Sequence, residues 1–266
     1  MDSPVHISNH LCYTVERGLY YTNMNFFLLS SFALIAFSAL VHASFQLSVS
    51  VLTLVSGHSL GRKTAHKRVL RLMSGFIIGV GVITLLLLTT MIYSFSLIIW
   101  QSMSSEQLIG AIVCGLLAGL GIATWAFYYR KGPGTTLWLP RNMAKFLSTR
   151  AKSTQSSIES FGIGMVSVVA EFVFIVAPMA TAALIIALFP SPGLQITGIA
   201  LYLVLSLLPL FIIFLAVGSG KKISSIQTWR ERNKRFLQFA SGGSLLILAA
   251  FLFVDRVLGI SLYGAW

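Results

Sequence analysis

The chain has 266 residues, of which 56% are apolar and only 10% are charged. No water-soluble domain of this size carries so little charge, so composition places the chain among polytopic membrane proteins. The net charge of +12 does not point to nucleic acid, because 17 of the 19 Lys and Arg residues fall in three short connections, 62–71, 130–152 and 221–235. Such clustering is the positive-inside pattern of cytoplasmic loops.

Residues 1–23 are polar and contain one Arg. The apolar run after them is too long for a signal-peptide core, so they are expected to form an extracytoplasmic tail. Six apolar segments follow, about 24–57, 69–96, 107–129, 160–189, 195–217 and 236–255. Each is long enough to cross a bilayer, which takes roughly 20 residues. The first, third and fifth lead into the basic loops, whereas 101–106 and 190–193 carry no Lys or Arg. The expected fold is therefore all-α, with six transmembrane helices and both termini outside, in the inner or plasma membrane. Its parts are a first three-helix repeat (24–130), a basic cytoplasmic loop (131–159), a second three-helix repeat (160–255) and an extracytoplasmic C-terminus (256–266).

The first segment carries its polar residues on one side. At about 100° per residue, Ser31, Ser38, His42, Gln46 and Thr53 share a sector under about 90° wide. Lipid cannot solvate such a stripe, so it is expected to face protein or a water-filled cavity. The second and third segments share a glycine spacing, Gly75, Gly79 and Gly81 against Gly115, Gly119 and Gly121, which reads as close helix packing. In the long loop, Pro133-Gly134-Thr135-Thr136 is turn-like and Pro140 suits a first helical position. Met143, Phe146 and Leu147 then face away from most of Arg141, Lys145, Arg150 and Lys152. That pattern fits an amphipathic helix on an anionic lipid surface; the alternative is a solvated basic linker.

The fourth segment has the same plan as the first. Ser160, Gly164, Ser167, Glu171, Pro178 and Thr181 fall on one face, and Glu171 is the only acid well inside any apolar segment. Pro178 and Pro209 each remove a helical hydrogen bond and are expected to kink or break their helices. Trp100, Trp125, Tyr128, Tyr129, Tyr202 and Tyr263 lie near segment ends, where rings sit at the headgroups. Cys12 and Cys114 are far apart in character, so neither a disulfide nor a metal cluster is indicated, and no cofactor motif is present.

Aligning Phe32 with Phe161 without gaps sets Ser38 on Ser167, His42 on Glu171 and Phe45 on Phe174. Three spans per half would invert the second half, as in many transporters, and bring equivalent residues near a shared midplane.

Thr53-Leu54-Val55-Ser56-Gly57, the stretch from Arg71 to Gly81, Phe161-Gly162-Ile163-Gly164, the Leu-rich Pro209 segment and the stretch from Phe236 to Phe253 carry a resemblance. Over roughly 25–255 the chain resembles the LysE superfamily, and within it the transmembrane proteins of cytochrome c biogenesis (CcdA and the membrane domain of DsbD). The redox members use Pro-Cys pairs in helices one and four, where this chain has His42-Ala43 and Glu171-Phe172. Thiol exchange requires a thiolate, so that activity does not carry over on its usual residues. Other superfamily members export amino acids or metal ions. The resemblance thus implies a transporter of a small cation or amine. Glu171 would be its proton or cation acceptor, His42 the partner, and Gln46, Ser38, Ser167 and Pro178 would complete the polar lining. The alternatives are interhelical glue, a thiol-disulfide or cytochrome-assembly protein with relocated cysteines, and a non-catalytic assembly protein. No enzymatic activity is expected. The partners expected are the bilayer and a small substrate, and not nucleic acid.

Overall fold

The computed structural model describes residues 28–45, 49, 51–53, 63–100, 103–127, 146–147, 149–151, 153–220 and 232–258. The terminal tails, Gln46, Cys12, Tyr128, Tyr129, Tyr263 and most of the three basic loops lie outside them. Among the described residues the chain is all-helical, with no strand. We number the helices α1 (Leu28–Ser44), α2 (Lys63–Ile99), α3 (Met103–Phe127), α4 (Ser157–Ala187), α5 (Pro192–Gly218) and α6 (Lys234–Leu252). A π-helical turn, Phe253–Leu258, extends α6.

Five of these contain segments long and apolar enough to cross a membrane: Lys67–Ile99, Ser105–Ala126, Ser157–Ala187, Pro192–Gly218 and Arg235–Asp255. The chain is a multi-pass membrane protein. The first expected segment is not one continuous rod. Its helix stops at Ser44, Phe45 forms a turn, and helical residues recur at 49 and 51–53. At about 1.5 Å per residue α1 alone is about 26 Å long, slightly short of a hydrocarbon core of about 30 Å.

Local chemistry sets the helix starts. The Ser156 hydroxyl accepts the Glu159 amide at 3.1 Å, and the Glu159 carboxylate accepts the Gln155 amide at 3.2 Å. This reciprocal cap satisfies two donors that α4 would otherwise leave open. Ser191 caps α5 by accepting the Leu194 amide at 3.4 Å, with Pro192 in the first turn. Both helices start three residues before their apolar runs, because the caps and not hydrophobicity decide where they begin.

Among helices α2 to α6 the most extensive contact joins α2 to α4, across the two halves of the sequence. Gly79 lies against the Phe161 carbonyl and Gly164 against the Phe76 carbonyl, so closely that a Cβ at either would collide with backbone. The Ser160 hydroxyl donates to the Leu72 carbonyl at 2.7 Å across this seam. Small residues and an interhelical hydrogen bond are the means by which helices associate where lipid gives no hydrophobic drive. Gly75 packs in the same seam, whereas Gly115 and Gly119 meet nothing within 4 Å. Of the three glycines in the third segment, Gly121 alone packs closely, against Leu246 and the Gly242 carbonyl of α6. There α3 meets α6 through Trp125, whose indole covers Gly242, stacks on Phe239 at 5.4 Å and donates to the Phe239 carbonyl at 3.2 Å.

Helix α4 is the centre of the molecule. Its N-terminal part buries one face, but every residue from 177 to 186 is buried. Alanines at 177, 180, 182 and 183 keep the helix thin enough to be enclosed on all sides. The helix runs unbroken through Pro178, and α5 runs unbroken through Pro209, so neither proline breaks its helix. Near the end of the long loop, residues 146–147 and 149–151 are helical. Leu147 and Ala151 are buried there, while Phe146 is exposed under the Arg150 guanidinium, 5.8 Å from its ring centre.

Candidate functional site at the meeting of α1, α4 and α5

Both expected polar stripes turn inward. On α1, Ser31, Ser38 and His42 are at most 1% exposed, and Thr53 beyond the turn is also buried. Leu29 and Leu40 occupy the outer side of α1. On α4, Ser160, Gly164, Ser167, Glu171, Pro178 and Thr181 are all buried. The period of 3.6 that placed these groups on single faces thus found the two faces that lipid does not touch.

Two ring contacts fix how α1 lies on α4. Phe32 meets Phe189, with ring centres 5.2 Å apart, and Phe45 stacks on Phe174 at 6.1 Å with the planes 8° from parallel. Position rises along one helix as it falls along the other, so the two run antiparallel. His42 comes level with Ala177 and Pro178. Glu171 lies about two turns further along α4, roughly 10 Å at 1.5 Å per residue.

His42 accordingly has a different partner from the carboxylate. Its Nδ1 lies 2.8 Å from the Tyr202 hydroxyl of α5, and the two rings sit 5.7 Å apart. Tyr202 is wholly buried. The expectation that Tyr202 anchors the interface is thereby corrected. Pro192 opens α5, so Tyr202 stands about 15 Å into the helix and not at its rim. A signal for this was present in the sequence. Gly198, Tyr202, Ser206, Leu210, Ile213 and Val217 recur at helical spacing, and all of them are buried. A tyrosine between a glycine and a serine on one stripe belongs to a packed face. Trp100, by contrast, is 90% exposed at the end of α2, as an interfacial anchor should be.

The remaining groups differ in how well they are satisfied. Ser167 donates to the Gly164 carbonyl at 2.7 Å, and Thr181 to the Ala177 carbonyl at 3.0 Å. Glu171, 1% exposed, has a partner of its own. The Ser31 and Ser38 hydroxyls are buried on the His42 face and have no hydrogen-bond partner among the described residues. Buried hydroxyls are normally paired with protein or ordered water. The end of α1 is closed differently: Ser44 donates to the Val41 carbonyl at 2.7 Å, and the Phe45 amide to the His42 carbonyl at 3.1 Å.

Gln46 lies outside the described residues. Cys114 is remote from this junction, donating to the Ala249 carbonyl at 3.4 Å between α3 and α6. Among the described residues no group of three His, Cys, Asp or Glu could hold a metal ion. No protein-family model matches the chain, nor does any curated protein or solved structure.

Proposed function

We propose that the chain is a six-span transporter of a small cation or amine, built from two inverted three-helix repeats with both termini outside the cytoplasm. The observation that carries this reading is the stack of Phe45 on Phe174. These are the residues that the ungapped alignment of the two halves makes equivalent. Residues related by a two-fold axis touch each other only where they lie on that axis. The stack supports a repeat centred on this pair, and transporters built from inverted repeats carry their site at such a centre.

His42 and Glu171 are equivalent in the same alignment, and each lies three residues from the aromatic pair. They stand on opposite sides of it, as two stations of one polar path and not as a touching couple. His42, Tyr202 and Ser38 line the station toward the N-terminal end of α1. Glu171 and Ser167 line the station toward the N-terminal end of α4, and Pro178 lies level with His42. The turn at Phe45 supports the same reading, since interrupted helices commonly form substrate sites in transporters. A carboxylate costs about 2.5–3.5 kcal/mol at the bilayer centre on insertion scales, so its retention at 171 calls for a use such as binding a cation. The resemblance in plan to the exporters of the LysE superfamily agrees with this assignment.

The test is flux in proteoliposomes, using a panel of monovalent and divalent cations and primary amines. The wild type should move at least one of them. Glu171→Gln should abolish that flux, and Phe45→Ala should convert coupled movement into leak. Flux that persists at the wild-type rate in Glu171→Gln, or no flux across the panel, would reject the assignment.

A further inference from the structure

A groove of about 540 Å³ runs along the outer surface between α2 and α5. Ile78, Val82 and Leu85 form one wall, and Leu203, Leu207 and Phe211 the other. The two helices are antiparallel. Gly81 of α2 faces Leu207 of α5, and Gly218 at the end of α5 reaches Leu70 near the start of α2. The groove therefore begins close to the basic end of α2. Its one polar lining group is Ser74, whose hydroxyl already donates to the Arg71 carbonyl of its own helix at 2.9 Å. Nothing in the groove recognises water or a polar solute.

Its length identifies an occupant. From Ser74 to Leu85 is about 17 Å of helix, close to one leaflet of a hydrocarbon core about 30 Å thick. At about 100° per residue Lys67 and Arg71 fall on the same stripe as Ile78, Val82 and Leu85, about two turns and one turn before the groove. Both are exposed, and neither side chain has a hydrogen bond or ion pair among the described residues. Their neighbour Arg68 is turned aside, reaching the Gln155 carbonyl at 3.5 Å.

We propose that this groove is a binding site for an anionic phospholipid, with one acyl chain along α2 and α5 and the phosphate held by Lys67 and Arg71. The chain supplies the apolar contact and the two cations supply the preference for negative charge. The site lies outside the polar path of α1 and α4, so it stands or falls independently of the transport reading.

The experiment uses the full chain in neutral detergent, titrated with phosphatidylglycerol or with phosphatidylcholine of the same acyl chains, and counts bound lipids by native mass spectrometry. Phosphatidylglycerol should bind the tighter of the two. Arg71→Gln and Lys67→Gln should each weaken it about fivefold, the effect of one cation near an anionic surface, and leave phosphatidylcholine unchanged. Val82→Trp should fill the groove and weaken both lipids. All three positions are exposed, and unchanged helical circular dichroism will show that the variants fold. Equal binding of the two lipids would overturn the proposal, as would phosphatidylglycerol binding that survives Arg71→Gln or Val82→Trp intact. Displacement of the lipid by inorganic phosphate at equal concentration would also overturn it, by reducing the site to an anion site.

Discussion

The hydrogen bond between His42 and Tyr202 is the contact whose energetics can be worked out most fully. Tyr202→Phe keeps the ring, which is completely buried, and removes only the hydroxyl that lies 2.8 Å from Nδ1. The imidazole nitrogen then has no partner, and orphaning a buried polar group costs about 1–3 kcal/mol in soluble proteins. Interhelical hydrogen bonds in membranes average about 0.6 kcal/mol and reach about 1.7, because the unfolded chain in the membrane finds substitutes. His42 and Tyr202 are both fully enclosed, so the upper part of that range applies, about 1–1.5 kcal/mol. The sign reverses in a second background. Once His42→Leu has removed the imidazole, the phenol is the orphan, and Tyr202→Phe should then cost nothing or stabilise slightly. A double-mutant cycle read by SDS-induced unfolding in mixed micelles should therefore give a coupling of about 1 kcal/mol. Coupling below about 0.3 kcal/mol, the range in which independent sites add, would refute the argument.

The seam between α2 and α4 gives a contrast within one residue type. Gly79→Ala forces a Cβ into the Phe161 carbonyl and should destabilise by about 1–3 kcal/mol, whereas Gly119→Ala, in open space, should be neutral or stabilising by up to about 1 kcal/mol. Ser160→Ala removes the bond to the Leu72 carbonyl across the same seam and should cost about 0.6 kcal/mol in the same unfolding assay. Trp125→Leu loses both the stack on Phe239 and the bond to its carbonyl, and should cost about 1–2 kcal/mol in the same unfolding assay.

The membrane class, the helices after the first and the two inward faces were legible in the sequence, since each follows from hydropathy and a period of 3.6. Ser38, His42, Ser167 and Glu171 were found in that way, and all are buried as expected. What the residues touch was not legible, because periodicity gives the face of a helix and not its neighbour. Equivalence in the repeat suggested that His42 would meet Glu171. The antiparallel packing of α1 and α4 instead sets Phe45 on Phe174, and leaves His42 and Glu171 about two turns apart. Tyr202 was misread for a related reason: hydropathy alone starts the segment at about 195, later than the Ser191 cap, and so draws the tyrosine toward its rim. The glycines at 115 and 119 share a spacing with 75 and 79 but lack a partner carbonyl. Spacing permits a close approach, and only the opposing helix decides whether it occurs.

The contact of Gly79 and Gly164 with opposing backbone constrains how the molecule can move. Carbonyls held against glycines cannot slide past one another without collision, and helices in van der Waals register there have no side chain to flex. Any rearrangement of the helices must therefore leave this crossing intact, with α2 and α4 moving as one body about it.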